Sequence, residues 1–180
     1  MPKKAKDKLT REGKKFFAEL QKLCELEVQV GFTAGKSGHN QRHDSVTAED
    51  YNNDTTIAEV AAWNEFGTKH IPARPFLRQS VDKNIEKIKK VCAEQVKGVK
   101  QGKIDAEQAL CRIGALQVGH IQAEIRKGNF VENAESTIRI KNKPLKKSKK
   151  KKKGKATTPL IDTGRLHQSV HYVVKSKKGQ

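Results

Sequence analysis

Residues 56–81 read TIAEVAAWNEFGTKHIPARPFLRQSV, and the fold turns on how this stretch divides. Thr56 and Glu59 have the spacing of a capping box, in which hydroxyl and carboxylate each satisfy an orphan backbone N–H at a helix start. Ile57, Val60, Ala61 and Phe66 can then share one helical face. Gly67 stands where a residue of positive φ closes a helix, since without a Cβ it reaches that region cheaply. Pro72 and Pro75 push Ala73 and Arg74 toward extended backbone, which makes IPARP a stiff non-helical strap. Pro75 also suits the first turn of a following helix. The stretch is an elbow that sets the directions of two helices, and nothing in it has the form of a catalytic constellation.

On the N-terminal side, Leu9, Phe16, Phe17, Leu20, Leu23 and Cys24 give a helical stripe surrounded by lysines. Leu26, Val28, Val30 and Phe32 then alternate with Glu27, Gln29 and Gly31, the period of a half-buried strand. Residues 33–54 hold Gly, Ser, His, Asn and Asp with few apolar residues and predict a long polar loop. On the C-terminal side, Phe76, Leu77, Val81, Ile85, Ile88, Cys92, Val96 and Val99 step by three or four, predicting one long helix over 75–99. Gly102 and Lys103 break it, and Asp105 can cap a second long helix that Gly128 ends. Within that second helix Gly114 and Gly119 imply either close approach of another backbone or a bend.

Residues 136–140, STIRI, alternate as a short strand would. A lysine-rich, low-complexity insertion over 141–158 cannot bury enough apolar surface to fold alone. Asp162 can cap a short helix through Leu166 and Val170, and a strand near 171–175 is a natural partner for strand 26–32. The expected fold is α+β: a small antiparallel sheet packed against two long and two short helices. A single domain over 9–175 is expected, between a basic lead at 1–8 and a tail at 176–180.

Lys and Arg number 38 against 20 Asp and Glu, a net charge of +18. Ten of the lysines lie within 141–155, so the excess is partly local and partly general. Such a balance points to a polyanion, of which nucleic acid is the usual one. Lys146, Lys147, Lys149, Lys150, Lys151, Lys152 and Lys153 are candidates for sequence-independent contact with a DNA backbone, a solvated tether being the plainer role. No aromatic residue lies in the run to stack on bases. Cys24, Cys92 and Cys111 are widely spaced with no CxxC pair, which suits structural thiols in a reducing compartment. A charged N-terminus without an apolar core, and no apolar run of spanning length, suit a soluble chain without a signal peptide or membrane partner.

Enzymatic chemistry finds little support in the motifs. Gly31 and Gly35 enclose three residues ahead of Lys36 and Ser37, where a phosphate-cradling loop needs four. His39 and His43 with Asp44 or His70 would be a metal set on a loop with no evident rigidity. Glu59, Glu65 and Glu124 show no spacing that separates acid–base work from helix solvation. No Ser or Cys sits in a nucleophile elbow. The chain is expected to be neither an enzyme nor a cofactor or metal binder. Trp63 and Phe66, each taken singly, are expected in the core, with an interface anchor as the other role. Arg74, braced between two prolines, and Arg78 are suited to fixed contacts.

Trp63-Asn64-Glu65-Phe66-Gly67-Thr68 followed by Ile71-Pro72-Ala73-Arg74-Pro75-Phe76-Leu77-Arg78 resembles a signature of tailed-bacteriophage neck and tail-completion proteins, also called virion morphogenesis or minor tail proteins. Pro159-Leu160-Ile161-Asp162-Thr163-Gly164-Arg165-Leu166 with Ser169 is similar to the second half of that signature, and the strand ending VGF fits its order. The resemblance covers most of 9–175. It implies a non-enzymatic subunit of a homo-oligomeric ring, typically six-fold, that joins the head connector to the tail tube around the DNA path. It further implies a place at the head–tail junction of a virion assembled in the host cytoplasm, with connector, neck and tail-tube proteins as partners. Trp63, Glu65, Phe66, Gly67, Arg74, Pro75, Phe76, Arg78, Asp162, Thr163 and Gly164 would support the fold and the subunit contacts. The long loop and the lysine-rich insertion depart from the family pattern.

Overall fold

The computed structural model of the protein describes residues 10–32, 56–135, 138–139, 159–161 and 164–177. The 33–54 loop, the 141–158 insertion with its seven candidate lysines, Asp162, Thr163, His39 and His43 lie outside the described residues. The described elements run α1 (Arg11–Glu25), β1 (Leu26–Gly31), α2 (Ile57–Phe66), α3 (Phe76–Asp82), α4 (Ile85–Lys100), α5 (Ala106–Lys127), α6 (Arg165–Gln168) and β2 (His171–Ser176). β1 and β2 pair as a two-stranded antiparallel sheet, and the class is α+β as expected. Among the described residues no helix is long and apolar enough to cross a membrane. The chain groups into two compact units, one of residues 1–30, 85–117 and 172–180, the other of 31–84 and 118–171.

The first unit holds α1, α4, the beginning of α5 and nearly all of the sheet. Thr10 caps α1 by accepting from the Gly13 N–H at 3.1 Å. Glu19 of α1 accepts from the Ala106 N–H at 2.9 Å, so a carboxylate from another helix satisfies a first-turn donor of α5. That backbone bond, followed by Lys22, holds the Glu19 carboxyl below its usual range. Asp105 caps the same end, accepting from Gln108 N–H at 2.7 Å. α4 packs against α1. Its end is closed by two turn bonds, Gly102 N–H to Val99 O at 2.9 Å and Lys103 N–H to Gly98 O at 3.0 Å. Gly114 resolves as a close approach, made by side chains and not by backbone. A Cβ there would stand 2.7 Å from the Tyr172 ring of β2 and 2.8 Å from Val28 of β1. Gly119 faces open space.

Fully buried residues are few in this unit. Val99, Ala106 and Ala109 are the buried apolar residues described in it, and α1 has none. The α1 stripe forms the expected helix, yet Phe17 is 55% exposed and Cys24 is exposed.

The second unit holds α2, α3, the end of α5 and α6. Its core is Ala61, Phe76, Ile121, Ile125, Leu166 and Val170, with Phe32 edge-on to the Phe76 ring at 6.1 Å. Two expectations are corrected by the structure. The single helix over 75–99 is broken between α3 and α4. Ser80 Oγ donates to Leu77 O at 2.7 Å and Asn84 Nδ2 to Ser80 O at 2.8 Å. Side chains that bond nearby carbonyls compete with the helical ladder, and Asn84 N–H instead reaches Val81 O at 3.0 Å. Apolar periodicity continues across the break, so it was invisible to a pattern of spacing alone. The expected strand at 136–140 is also absent at its described residues. Ile138 N–H bonds Ala134 O at 3.0 Å and Arg139 pairs with Glu135 at 3.3 Å, both one helical turn apart. Five alternating residues are too few to decide the period.

Candidate functional site

The elbow between α2 and α3 is where the sequence signature becomes geometry. The capping box forms as expected: Glu59 N–H donates to Thr56 Oγ1 at 3.3 Å and Thr56 N–H to Glu59 Oε2 at 2.7 Å. The Thr56 backbone N–H, and after it the Thr56 hydroxyl, lowers the Glu59 pKa. Gly67 ends α2 at φ +79°, ψ 169°, and its N–H bonds Trp63 O at 2.9 Å. A Cβ at Gly67 would lie 2.9 Å from Ala73 N and 3.1 Å from Ile71 O, so both φ and space demand glycine. The strap folds back over this point, with Thr68 N–H on Ile71 O at 2.8 Å and Arg74 N–H on Asn64 O at 2.6 Å.

Pro75 is the N-cap residue of α3, one place earlier than the first-turn position expected. At φ −75° and ψ 62°, with Phe76 N–H on Arg74 O at 2.7 Å, it centres an inverse γ-turn. A proline has no side-chain acceptor, so the first turn of α3 needs a cap from elsewhere. Glu65 provides it. Its carboxylate accepts from Leu77 N–H at 2.8 Å, from Arg78 N–H at 3.2 Å and from Arg78 Nε at 3.0 Å. Glu65 is 2% exposed, and these partners together with the positive helix end offset the burial of its charge.

Arg74 makes the second clasp and is itself buried. Its Nη1 donates to Asn64 Oδ1 at 3.2 Å, its Nε to Val131 O at 2.9 Å and its Nη2 to Glu132 O at 3.2 Å. Burial lowers its pKa, and an arginine remains charged regardless. Asn64 is held for this task by donating Nδ2 to Val60 O at 2.8 Å. Arg74 thus ties the end of α2, the strap and the segment after α5 into one piece.

These bonds decide what faces out. The cap needs Glu65 turned inward beside Ala61, which places Trp63 and Phe66 on the outer side of α2. Trp63 is 42% exposed and Phe66 72% exposed, which corrects the core assignment for both. The Arg78 guanidinium lies 5.6 Å over the Phe66 ring, a cation–π contact at the surface. The second half of the signature comes to the same unit. Pro159 is buried, Gly164 (φ +82°) immediately precedes α6, and α6 packs against α2.

One buried carboxylate beside the elbow escaped the sequence pattern. Glu124 of α5 is 1% exposed and pairs with Lys83 and Lys127, the latter at 3.3 Å. Burial raises its pKa, and the two ammonium groups outweigh that and leave it below the ordinary value. Its place three residues after Ile121 was the available signal, since that spacing shares a helical face. His167 Nε2 is buried without a hydrogen-bond partner, while Gln122 Nε2 donates to the His167 carbonyl at 3.2 Å. Burial, followed by the charge of Arg126, lowers the His167 pKa. Among the described residues no three His, Cys, Asp or Glu converge as a metal set.

Comparison of the chain with protein-family models, with curated proteins and with solved structures finds no match.

Proposed function

We propose that the chain is a structural virion protein of a tailed phage. It acts as a tail-completion or neck subunit that forms a ring, six-fold in the family pattern, between head connector and tail tube. The division of labour within the elbow supports this reading best. Asn64, Glu65, Gly67 and Arg74 are engaged inside the subunit, while Trp63 and Phe66 between them point outward on a braced helix. A rigid elbow displaying aromatic side chains suits a contact surface, because little side-chain entropy is lost on docking. The net charge of +18 suits a wall around DNA that reads no sequence. On this reading the protein is not an enzyme, resides at the head–tail junction and is assembled in the host cytoplasm. Its partners are copies of itself, the connector and neck proteins and the tail-tube protein.

Native mass spectrometry and electron microscopy of the full chain, alone and with tail tubes, test it. Rings of defined stoichiometry in either condition are the expected result, and monomers in both reject the reading. The lysine run at 146–153 favours a second reading, a non-specific nucleic-acid-binding protein. Deleting 146–155 separates the two. Loss of salt-dependent duplex binding with virion assembly intact makes the run accessory to the ring role. Loss of all function with no effect on multimers supports the second reading.

A further inference from the structure

Two helices of this chain present exposed stripes that differ in charge. On α2, Glu59, Ala62, Trp63 and Phe66 are all exposed and lie within two turns on one side. No Lys or Arg occurs anywhere in α2, although the protein has a net charge of +18. Arg78, which covers Phe66, is neutralised by Glu65 at 3.0 Å. On α4, Ile85, Ala93, Val96 and Lys100 are exposed at helical spacing, with Ile85 at 40% and Val96 at 46%. Lys97 is exposed beside Val96, and Lys89 is paired with Glu86 at 3.0 Å. The first is apolar with an acidic end, and the second is apolar with a basic end at Lys97 and Lys100.

We infer that the α2 stripe of one copy docks on the α4 stripe of the next, so that the surface displayed by the elbow is met by a second copy of this chain. The inference rests on the ring reading and names the faces that the ring would use. Charge complementarity selects the occupant: the chain itself carries both the acidic aromatic stripe and the basic aliphatic one. Lys97 and Lys100 beside Val96 oppose the pairing of two α4 stripes, and Glu59 opposes the pairing of two α2 stripes. Because the two surfaces are different, the contact is heterologous, the kind that closes into a ring when its rotation permits. Trp63 and Phe66 against Ala93 and Val96 form the apolar centre. Glu59 lies about 10 Å from Phe66 along its helix, at 1.5 Å per residue, within reach of one of the α4 lysines.

Sedimentation of the full chain over a range of concentration and salt tests the pairing. Ala62→Lys adds a positive charge beside Trp63 without touching the capping box or the clasps. It should weaken self-association at least about tenfold, with an unchanged far-ultraviolet spectrum. Lys97→Glu with Lys100→Glu, placed on the same Ala62→Lys chain, should restore most of that loss. Phe66→Ser should weaken association as well, with no rescue by the α4 reversals. Multimers indifferent to Ala62→Lys, or weakened without rescue, overturn the inference and leave the ring reading in place. A chain that is monomeric throughout also overturns it, and the ring reading then depends on the outcome with tail tubes.

Discussion

The two compact units bury different things. In the unit built on α2, α3 and α6, the interior takes a whole phenylalanine ring, Ile121 and Ile125, and three charged side chains: Glu65, Arg74 and Glu124. In the unit built on α1, α4 and the sheet, the buried apolar residues described are Val99, Ala106 and Ala109, and the amphipathic α1 buries none. Apolar content is not the difference, since α1 alone contributes Phe16, Phe17, Leu20 and Leu23. What differs is closure. Every buried charge in the elbow unit is met by a cap, a carbonyl or a counter-charge, so the chain can afford to turn a motif inward and leave Trp63 and Phe66 outside. The other unit keeps its apolar side chains half covered, which is the condition of a surface that gains from a partner.

Truncation of Phe76 sharpens that contrast most. Phe76→Ala should cost about 3–5 kcal/mol in denaturant unfolding, because a fully buried ring leaves a cavity. Glu65→Ala should cost on the order of 3 kcal/mol, since it strands two first-turn N–H groups of α3 that Pro75 cannot cap. Equal losses from Phe17→Ala, expected below about 0.5 kcal/mol in the isolated chain, would erase the distinction between the units.

Acid probes the same interior. The folded pKa of Glu124 lies below the ordinary value of 4.5, so its stabilisation is complete above that pH and disappears as pH falls through the folded value. A titration of unfolding midpoint from pH 7 to 3 should therefore slope downward in acid. Glu124→Gln should shrink the slope while lowering stability at neutral pH.

The smallest effects compare two glycines of α5. Gly114→Ala should destabilise by about 1–3 kcal/mol, because the Tyr172 ring and Val28 occupy the space. Gly119→Ala meets open space and should stabilise by up to about 1 kcal/mol. Opposite signs in thermal melts are the expected outcome, and like signs would place the packing elsewhere.

Much of the architecture was legible from local rules. The Thr56–Glu59 capping box, the Gly67 stop, the non-helical strap, the Asp105 cap, the end of α5 at Gly128 and the pairing of strands 26–31 and 171–176 all follow from residue chemistry within a turn or two, or from alternation. The misread features share a different origin. The break before α4 came from Ser80 and Asn84 bonding carbonyls within a regular apolar stripe. The outward turn of Trp63 and Phe66 came from a cap that α3 requires and that only Glu65 is placed to supply.

By itself the sequence determined where α2, α5 and the two strands begin, which backbone turns demand glycine or proline, and that the chain is strongly basic. Those properties depend on neighbouring residues and on summed charge. Only the tertiary structure decided which side of α2 is inside, that Arg74 reaches the carbonyls of Val131 and Glu132, and that Glu124 is buried between Lys83 and Lys127. Each of those depends on donors and acceptors brought together from distant parts of the chain. A buried charge is tolerated only where such partners converge, and no local pattern specifies that convergence.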